Sequence, residues 1–356
     1  MMHSRDFCQS LATAGYDTYT GVPCSFLTGL INTAMQAYTY INATNEGDAV
    51  AIAAGLVLGG KQPVVLMQNS GLGNAVSPIT SLLMPFKLPV LLIIGWRGQP
   101  GYPDEPQHQL MGDITVGLLQ LMGVTPYIFG ETDWDIQLAQ IQKCRASKAS
   151  AAILIPQNAL AYDTPAAPVV SGLTRTEALR HIRDTVSDQA VILATTGKTG
   201  RELFTLGDSD RYFYQVGSMG CVSAIALGIA QAKPNPIVII DGDGAALMRL
   251  GALASVGQYR PKFLHIILNN GVHDSTGGQA TVQADFTACA TALNYPAAYT
   301  ITTISDLIAC IRAWERQPVL TLLTVMIVPG SPATLARPDC LPETVAARLQ
   351  AYLERL

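Results

Sequence analysis

The stretch Pro236–Asp274, PIVIIDGDGAALMRLGALASVGQYRPKFLHIILNNGVHD, decides the fold. Ile237 to Ile240 is a short, β-branched apolar run of the kind that forms a buried parallel strand. Asp241-Gly242-Asp243-Gly244 follows, then helical spacing to about Gln258, then a second apolar run, Phe263 to Leu268, ending in Asn269-Asn270-Gly271. This is a strand–loop–helix–strand unit with polar groups at both strand ends, the edge at which open α/β sheets bind ligands. Gly242 and Gly244, with Ala245 behind them, let backbone N–H groups approach an anion at a helix N-terminus. Asp243 offers a hard carboxylate oxygen and Asn270 an amide oxygen, with Val272 as a third metal candidate. A carboxylate, a carbonyl and phosphate oxygens form the mixed oxygen set that suits Mg²⁺. Asp-Gly and Asn-Gly are each ordinary turn dipeptides; their occurrence together, after two buried strands, carries the reading.

Composition bounds the rest. The 356 residues exceed one ordinary core and predict two domains. With 49% hydrophobic and 13% charged residues and 31 glycines, the chain is expected to bury much surface, part of it between subunits. A net charge of −4, with Lys and Arg scattered, offers no footprint for nucleic acid. No apolar run reaches the roughly 20 residues needed to span a bilayer. The N-terminal MMHSRDFCQS has an early acid and no apolar core, so no signal peptide is expected. Seven cysteines without regular spacing or a CxxC pair are expected to be reduced thiols of a cytoplasmic protein.

Strands expected at 17–20, 40–43, 63–67 and 90–94 alternate with helices, and further helices and strands follow to Pro156. Such alternation predicts a parallel sheet covered on both faces. Asp163–Gly172 (DTPAAPVVSG) has the composition of a linker. It separates a first domain, 1–165, from a second, 173–356. The second domain's strands are expected at 191–194, 212–215, 237–240, 264–268 and 320–328, with a C-terminal helix from Glu343.

The Asp243–Asn270 pattern resembles the diphosphate–magnesium motif of thiamin-diphosphate enzymes. The resemblance narrows on GVPCSFLTGLIN, ATNEGDAVAIAAG, QNSGLGNAVSPITSL, RGQPGYPDEPQHQ, TTGKTGREL, VGSMG and NNGVHDSTGGQ. In this order, from about residue 20 to 280, they are similar to the phosphonopyruvate decarboxylase family, to which sulfopyruvate decarboxylases are close. The resemblance implies two thiamin-diphosphate-binding-fold α/β domains with no middle domain. The first binds the pyrimidine; the second binds the diphosphate and Mg²⁺.

The resemblance also assigns roles. Glu46, by itself a first-turn acid complementing a helix dipole, becomes the carboxyl that hydrogen-bonds the aminopyrimidine ring, a task suited to a partly desolvated acid. Met219 becomes the apolar wedge beneath the cofactor, where its plain reading is a core methionine. The Gly217 carbonyl becomes an acceptor for the ring amino group. Thr196-Gly197-Lys198 resembles the family's second diphosphate-side loop, and Leu72 lies in the QNSGLGN segment on the pyrimidine side. His108, otherwise an exposed loop histidine, is a candidate acid–base group. Arg97, otherwise a surface charge, is a candidate clamp for the substrate anion. Ser25 and Thr276 stand where pyruvate decarboxylases carry acids, which lowers negative charge in the pocket and favours a dianionic tail.

The expected activity is thiamin-diphosphate- and Mg²⁺-dependent decarboxylation of 3-phosphonopyruvate to phosphonoacetaldehyde and CO₂. Sulfopyruvate decarboxylation and a non-catalytic diphosphate-binding protein are the alternatives. The resemblance further implies a homodimer or higher homo-oligomer, with cofactor contacts drawn from two chains. Asp243→Ala is expected to lose Mg²⁺ and the cofactor. Glu46→Gln is expected to keep the cofactor and lose about 10²–10⁴-fold in rate, the usual worth of an acid–base group. Mixing the two inactive chains should restore part of the activity; hybrids that form and stay inactive would refute sharing between chains.

Overall fold

The protein is described by a computed structural model covering residues 2–163, 171–332, 334–336 and 338–355. The chain divides into two compact units, Met1–Ala167 and Pro168–Leu356. Of the expected linker, residues 164–170 lie outside the described residues.

In the first unit, β1 (Thr18–Gly21), β2 (Thr39–Asn42), β3 (Pro63–Gln68), β4 (Leu91–Gly95), β5 (Thr125–Ile128) and β6 (Ala151–Ile155) form one sheet in the order β2-β1-β3-β4-β6-β5. Every pairing is parallel. In the second unit, β7 (Val191–Ala194), β8 (Tyr212–Tyr214), β9 (Ile237–Gly242), β10 (Phe263–Asn269), β11 (Ala297–Ile301) and β12 (Thr321–Met326) take the order β8-β7-β9-β10-β12-β11, again all parallel. The two orders are the same once renumbered. In each sheet the chain runs outward from its first strand to its second, then returns to place its third on the other side of the first. That reversal is a topological switch point, where doubly wound sheets take ligands. The switch lies between β1 and β3 in one unit and between β7 and β9 in the other.

Burial follows from this layering. The residues of β4, β6 and β7 are all buried, because helices cover both faces. Each unit has two apolar clusters, one on either face. On the first sheet, Val65, Leu92 and Leu154 point to one side and Val64, Leu91 and Ile153 to the other.

The structure refines the sequence expectations at three places. Strand β11 is absent from them: it is an edge strand whose residues are mostly half-buried or exposed, so it lacks an apolar run. The helix expected to run to Gln258 is two helices, Asp243–Met248 and Ala252–Tyr259. The helix expected directly after Ser25 opens with a separate 3-10 turn, Ser25–Leu27, before Thr28–Ala37. All seven cysteines are free. Among the described residues, no helix is long and apolar enough to cross a membrane.

One close approach in the first unit fixes the loop after β4. The helix Pro106–Leu121 packs so tightly on that loop that a Cβ on Gly112 would lie 1.6 Å from the Gly98 carbonyl oxygen. Trp96 Nε1 donates to the Gly112 oxygen at 2.9 Å from the same loop. Gly112→Ala should therefore lower stability by about 1–3 kcal/mol, the usual cost of overpacking, readable as a lower urea midpoint.

Candidate active site

Around the first switch point, the loop after β1 carries Ser25 and the loop after β3 is a single 3-10 turn, Asn69–Gly71. Glu46 is the first residue of the helix Glu46–Leu58, whose cap Asn45 accepts from Asp48 N through its side chain at 3.0 Å. The Glu46 carboxyl is buried, with 5% of the residue exposed. Asn74 Nδ2 donates to Glu46 Oε2 at 2.8 Å. A Cβ on Gly71 would lie 2.4 Å from Glu46 Oε1, so only glycine leaves room for the acid.

Asn69 ties this turn to the neighbouring strand end. Its Oδ1 accepts from Arg97 N at 3.1 Å, and its Nδ2 donates to Arg97 O at 2.8 Å and to Thr115 Oγ1 at 3.0 Å. The backbone of Arg97 is thereby held on both sides by one fully buried amide. The guanidinium is shared. Nε donates to Asp104 Oδ2 at 2.7 Å and Nη2 to Asp104 Oδ1 at 2.5 Å, while Nη1 reaches Ser25 Oγ at 3.3 Å. Phe26 lies beneath, its ring centroid 4.9 Å from the guanidinium carbon. Burial alone would raise the Asp104 pKa, but the bonds from Arg97 and Gly98 N outweigh it and hold the carboxyl below its usual value.

His108 is the third residue of the helix Pro106–Leu121. Burial, and then the positive charge of Arg97, push its pKa down to about 4, against the opposing pull of Asp104. Its Nδ1 is buried without a hydrogen-bond partner. Ser25, Arg97 and His108 are thus brought together, and Asn69 links their loop to the turn that packs on Glu46. Leu72 is fully buried in the apolar core, so this unit leaves its side chain no exposed surface.

The second switch point gathers the other candidates. Asp243 opens the short helix Asp243–Met248, and 5% of the residue is exposed. Its Oδ2 accepts from Gly271 N at 3.0 Å and Thr281 Oγ1 at 2.9 Å. Burial raises its pKa; the bonds from Thr281, Gly244 N and Gly271 N only partly offset this. Asn270 Oδ1 accepts from Val272 N at 3.1 Å, and the Val272 carbonyl accepts from Asp274 N at 3.1 Å. Gly244 has no room for a side chain, because a Cβ there would lie 2.9 Å from the His273 ring.

On the β7 side, Thr196 Oγ1 donates to Val216 O at 3.1 Å, and Gly197 adopts a φ of +90° that a larger residue would strain. Lys198 Nζ donates to Ser331 Oγ at 2.8 Å, and burial lowers its pKa. The turn carrying Gly217 and Met219 folds against Ala245: a Cβ on Gly220 would lie 2.6 Å from the Ala245 oxygen. Met219 is half-buried and belongs to none of the apolar clusters, so it is not a core methionine.

The donor set at Asp243 fits a hard dication with an anionic ligand. It offers one carboxylate whose burial is incompletely compensated, one amide oxygen and one backbone carbonyl. Among the described residues, no group of three or more His, Cys, Asp and Glu could hold a metal unaided. Phosphate oxygens are the natural remainder of such a shell. Gly242 has no atom within 4 Å of where a Cβ would stand, which leaves that side open for one.

Sequence reading leaves Asn69, Asn74, Asp104, Thr281 and Asp274 without roles, although all but Thr281 lie inside the motif segments. The depressed His108 pKa has a stability consequence. Between about pH 6.5 and pH 4 the unfolded chain binds a proton at this residue that the folded chain does not, so stability falls as pH falls through that window. His108→Asn should flatten the urea midpoint against pH there; an unchanged slope would mean that His108 is not held neutral.

Comparison with known proteins finds one family model within each unit. Residues 1–116 match the thiamine pyrophosphate enzyme N-terminal TPP binding domain, and residues 196–323 match the C-terminal TPP binding domain. A phosphonopyruvate decarboxylase of Streptomyces viridochromogenes is 41% identical over 99% of this chain and 95% of its own. One from Streptomyces hygroscopicus is 40% identical over 99% and 94%. A sulfopyruvate decarboxylase of Methanosarcina acetivorans is 27% identical over 89% of each chain. By full-length similarity and by both domain matches, the chain belongs to the thiamin-diphosphate-dependent phosphonopyruvate decarboxylase family.

Proposed function

We propose that this protein decarboxylates 3-phosphonopyruvate to phosphonoacetaldehyde and CO₂, with thiamin diphosphate and Mg²⁺ as cofactors. When bound, thiamin diphosphate supplies the electron sink for the carbon that loses CO₂. In this reading Glu46 holds the aminopyrimidine and relays a proton there, oriented by Asn74 Nδ2. Asp243, the Asn270 amide oxygen and the Val272 carbonyl hold Mg²⁺. Thr196, Gly197, Lys198, Gly242, Gly244 and Ala245 face the diphosphate, while Gly217 and Met219 serve the ring system. His108, neutral at pH 7 by its depressed pKa, accepts or passes a proton near the substrate.

The observation that carries the substrate assignment is the contact between Arg97 Nη1 and Ser25 Oγ. Asp104 covers the Nε/Nη2 edge of the guanidinium and leaves the Nη1 edge facing a hydroxyl. A cation and a donor side by side suit a tetrahedral anion, and a phosphonate can carry one more charge than a sulfonate of similar size. The full-length relatives from Streptomyces are named for the same substrate.

Self-association is part of the proposal. The helix Pro106–Leu121 exposes Leu110, Ile114 and Leu121 at 69%, 41% and 89% along one face. An apolar stripe of this kind favours burial against another copy; the cytoplasm, with reduced thiols, is the proposed location.

The test is kcat/KM for phosphonopyruvate, sulfopyruvate and pyruvate. Wild type should rank them in that order. Arg97→Ala should lose about 1–3 kcal/mol on phosphonopyruvate, the worth of a charge-assisted hydrogen bond, and much less on pyruvate. A wild type preferring sulfopyruvate would move the protein to the sister activity. An unchanged ranking and rate in Arg97→Ala would remove the clamp.

A further inference from the structure

Beneath the Asp243–Asn270 loops lies a buried ionic cluster that the cofactor reading does not use. Arg175, the first residue of the helix Arg175–Thr185, is 5% exposed. Its Nη1 donates to Glu202 Oε1 at 2.8 Å and to Gly330 O at 3.2 Å, and its Nη2 to Asp274 Oδ2. Thr176 Oγ1 donates to Glu202 Oε2 at 2.7 Å. Asp274 accepts in addition from Gly330 N at 3.2 Å and from Asn270 Nδ2 at 2.7 Å.

Stability alone is a weak reason for such a cluster. Burying a guanidinium and two carboxylates carries a desolvation cost that apolar packing avoids, so buried ion groups often return no net stability. What the cluster does supply is direction. The Asn270 amide has a nitrogen end that only donates and an oxygen end that only accepts. An ionised carboxylate only accepts, so Asp274 can face the nitrogen end alone and turns the oxygen the other way. Arg175, held from a second side by Glu202, fixes the Asp274 carboxylate in place.

We propose that Asp274 and Arg175 are positioning residues for Mg²⁺: Asp274 selects which end of the Asn270 amide the metal meets, and Arg175 holds Asp274 in place. This rests on the reading of Asn270 as a metal ligand. The carboxylate–amide pair would act as the partners of metal ligands commonly do, whose loss weakens metal binding about 10–100-fold.

The experiment is calorimetric titration of the cofactor-free protein with thiamin diphosphate at a series of Mg²⁺ concentrations, alongside thermal melting without cofactor. Asp274→Ala should raise the Mg²⁺ concentration for half-maximal binding about 10–100-fold. Asp274→Asn keeps an acceptor oxygen for the Asn270 nitrogen but gives up the charge. It should recover most of the Mg²⁺ dependence while melting as low as Asp274→Ala. Equal Mg²⁺ losses in both variants, or no loss in Asp274→Ala, would overturn the proposal and leave the cluster a structural salt bridge. If Asp274→Ala does not fold, Arg175→Lys decides: it retains charge without the fork, and an unchanged Mg²⁺ dependence would overturn the proposal. Asp243→Ala separates the two levels. Lost Mg²⁺ dependence there, with wild-type behaviour in the Asp274 variants, removes the positioning role alone. Unchanged Mg²⁺ dependence in Asp243→Ala removes the metal reading and the positioning role together.

Discussion

Each parallel sheet carries a buried candidate carboxylate beside its switch point, Glu46 in one unit and Asp243 in the other, and the local structure around each keeps it there. Glu46 and Asp243 are each 5% exposed, and each is the first residue of a helix. A buried carboxyl is costly unless its oxygens are hydrogen-bonded. The two units meet this differently. Around Glu46 there is an amide donor, Asn74, and a glycine that makes room, Gly71. Around Asp243 there are a hydroxyl and backbone N–H groups, brought up by the short antiparallel pairing of Val272–His273 with Gln279–Ala280. The common strand order supplies the edge, yet the acid follows the second strand in one unit and the third in the other. The same topology has therefore been put to two uses.

The fold was legible where burial is two-sided. Strands β3, β4, β7, β9 and β10 read as apolar runs because helices cover both faces, and the structure places them within a residue or two of expectation. Strand β11 was not legible because an edge strand buries one side at most. The helix break at Arg249–Gly251 was visible only as a glycine, and glycine also occurs inside helices, as Gly55 does. The placing of Glu46, Asp243 and Asn270 at the ends of strands or the starts of helices was legible because the apolar runs before them mark those ends. Their partners were not. Asn74, Thr281 and Asp274 make contacts set by the path of a loop, and loop paths carry no periodicity.

The arrangement at Arg97 shows how much such partners change a reading. In the sequence, Arg97 is a loose cation, and Ser25 and Thr276 suggest a site cleared of negative charge. The structure returns a negative charge to Arg97 as Asp104, in bidentate contact. This leaves the proposed anion site with one guanidinium edge. Asp104 also accepts from Gly98 N at 2.7 Å and Glu105 N at 2.8 Å, so part of its charge is answered by backbone dipoles. The guanidinium edge that Asp104 does not engage is Nη1, which reaches Ser25 Oγ at 3.3 Å.

His108 fits the same balance. A protonated imidazole beside Arg97 would add a second cation to a half-buried space already holding one, and burial with that charge keeps the ring neutral. A neutral ring can carry a proton on one nitrogen and accept at the other, which is the property that the proposed role of His108 in proton transfer requires. With His108 uncharged, the cationic group in contact with Ser25 Oγ is the Nη1 edge of Arg97. If this edge is the clamp proposed above, selectivity for the tail would follow the charge that the substrate brings to it.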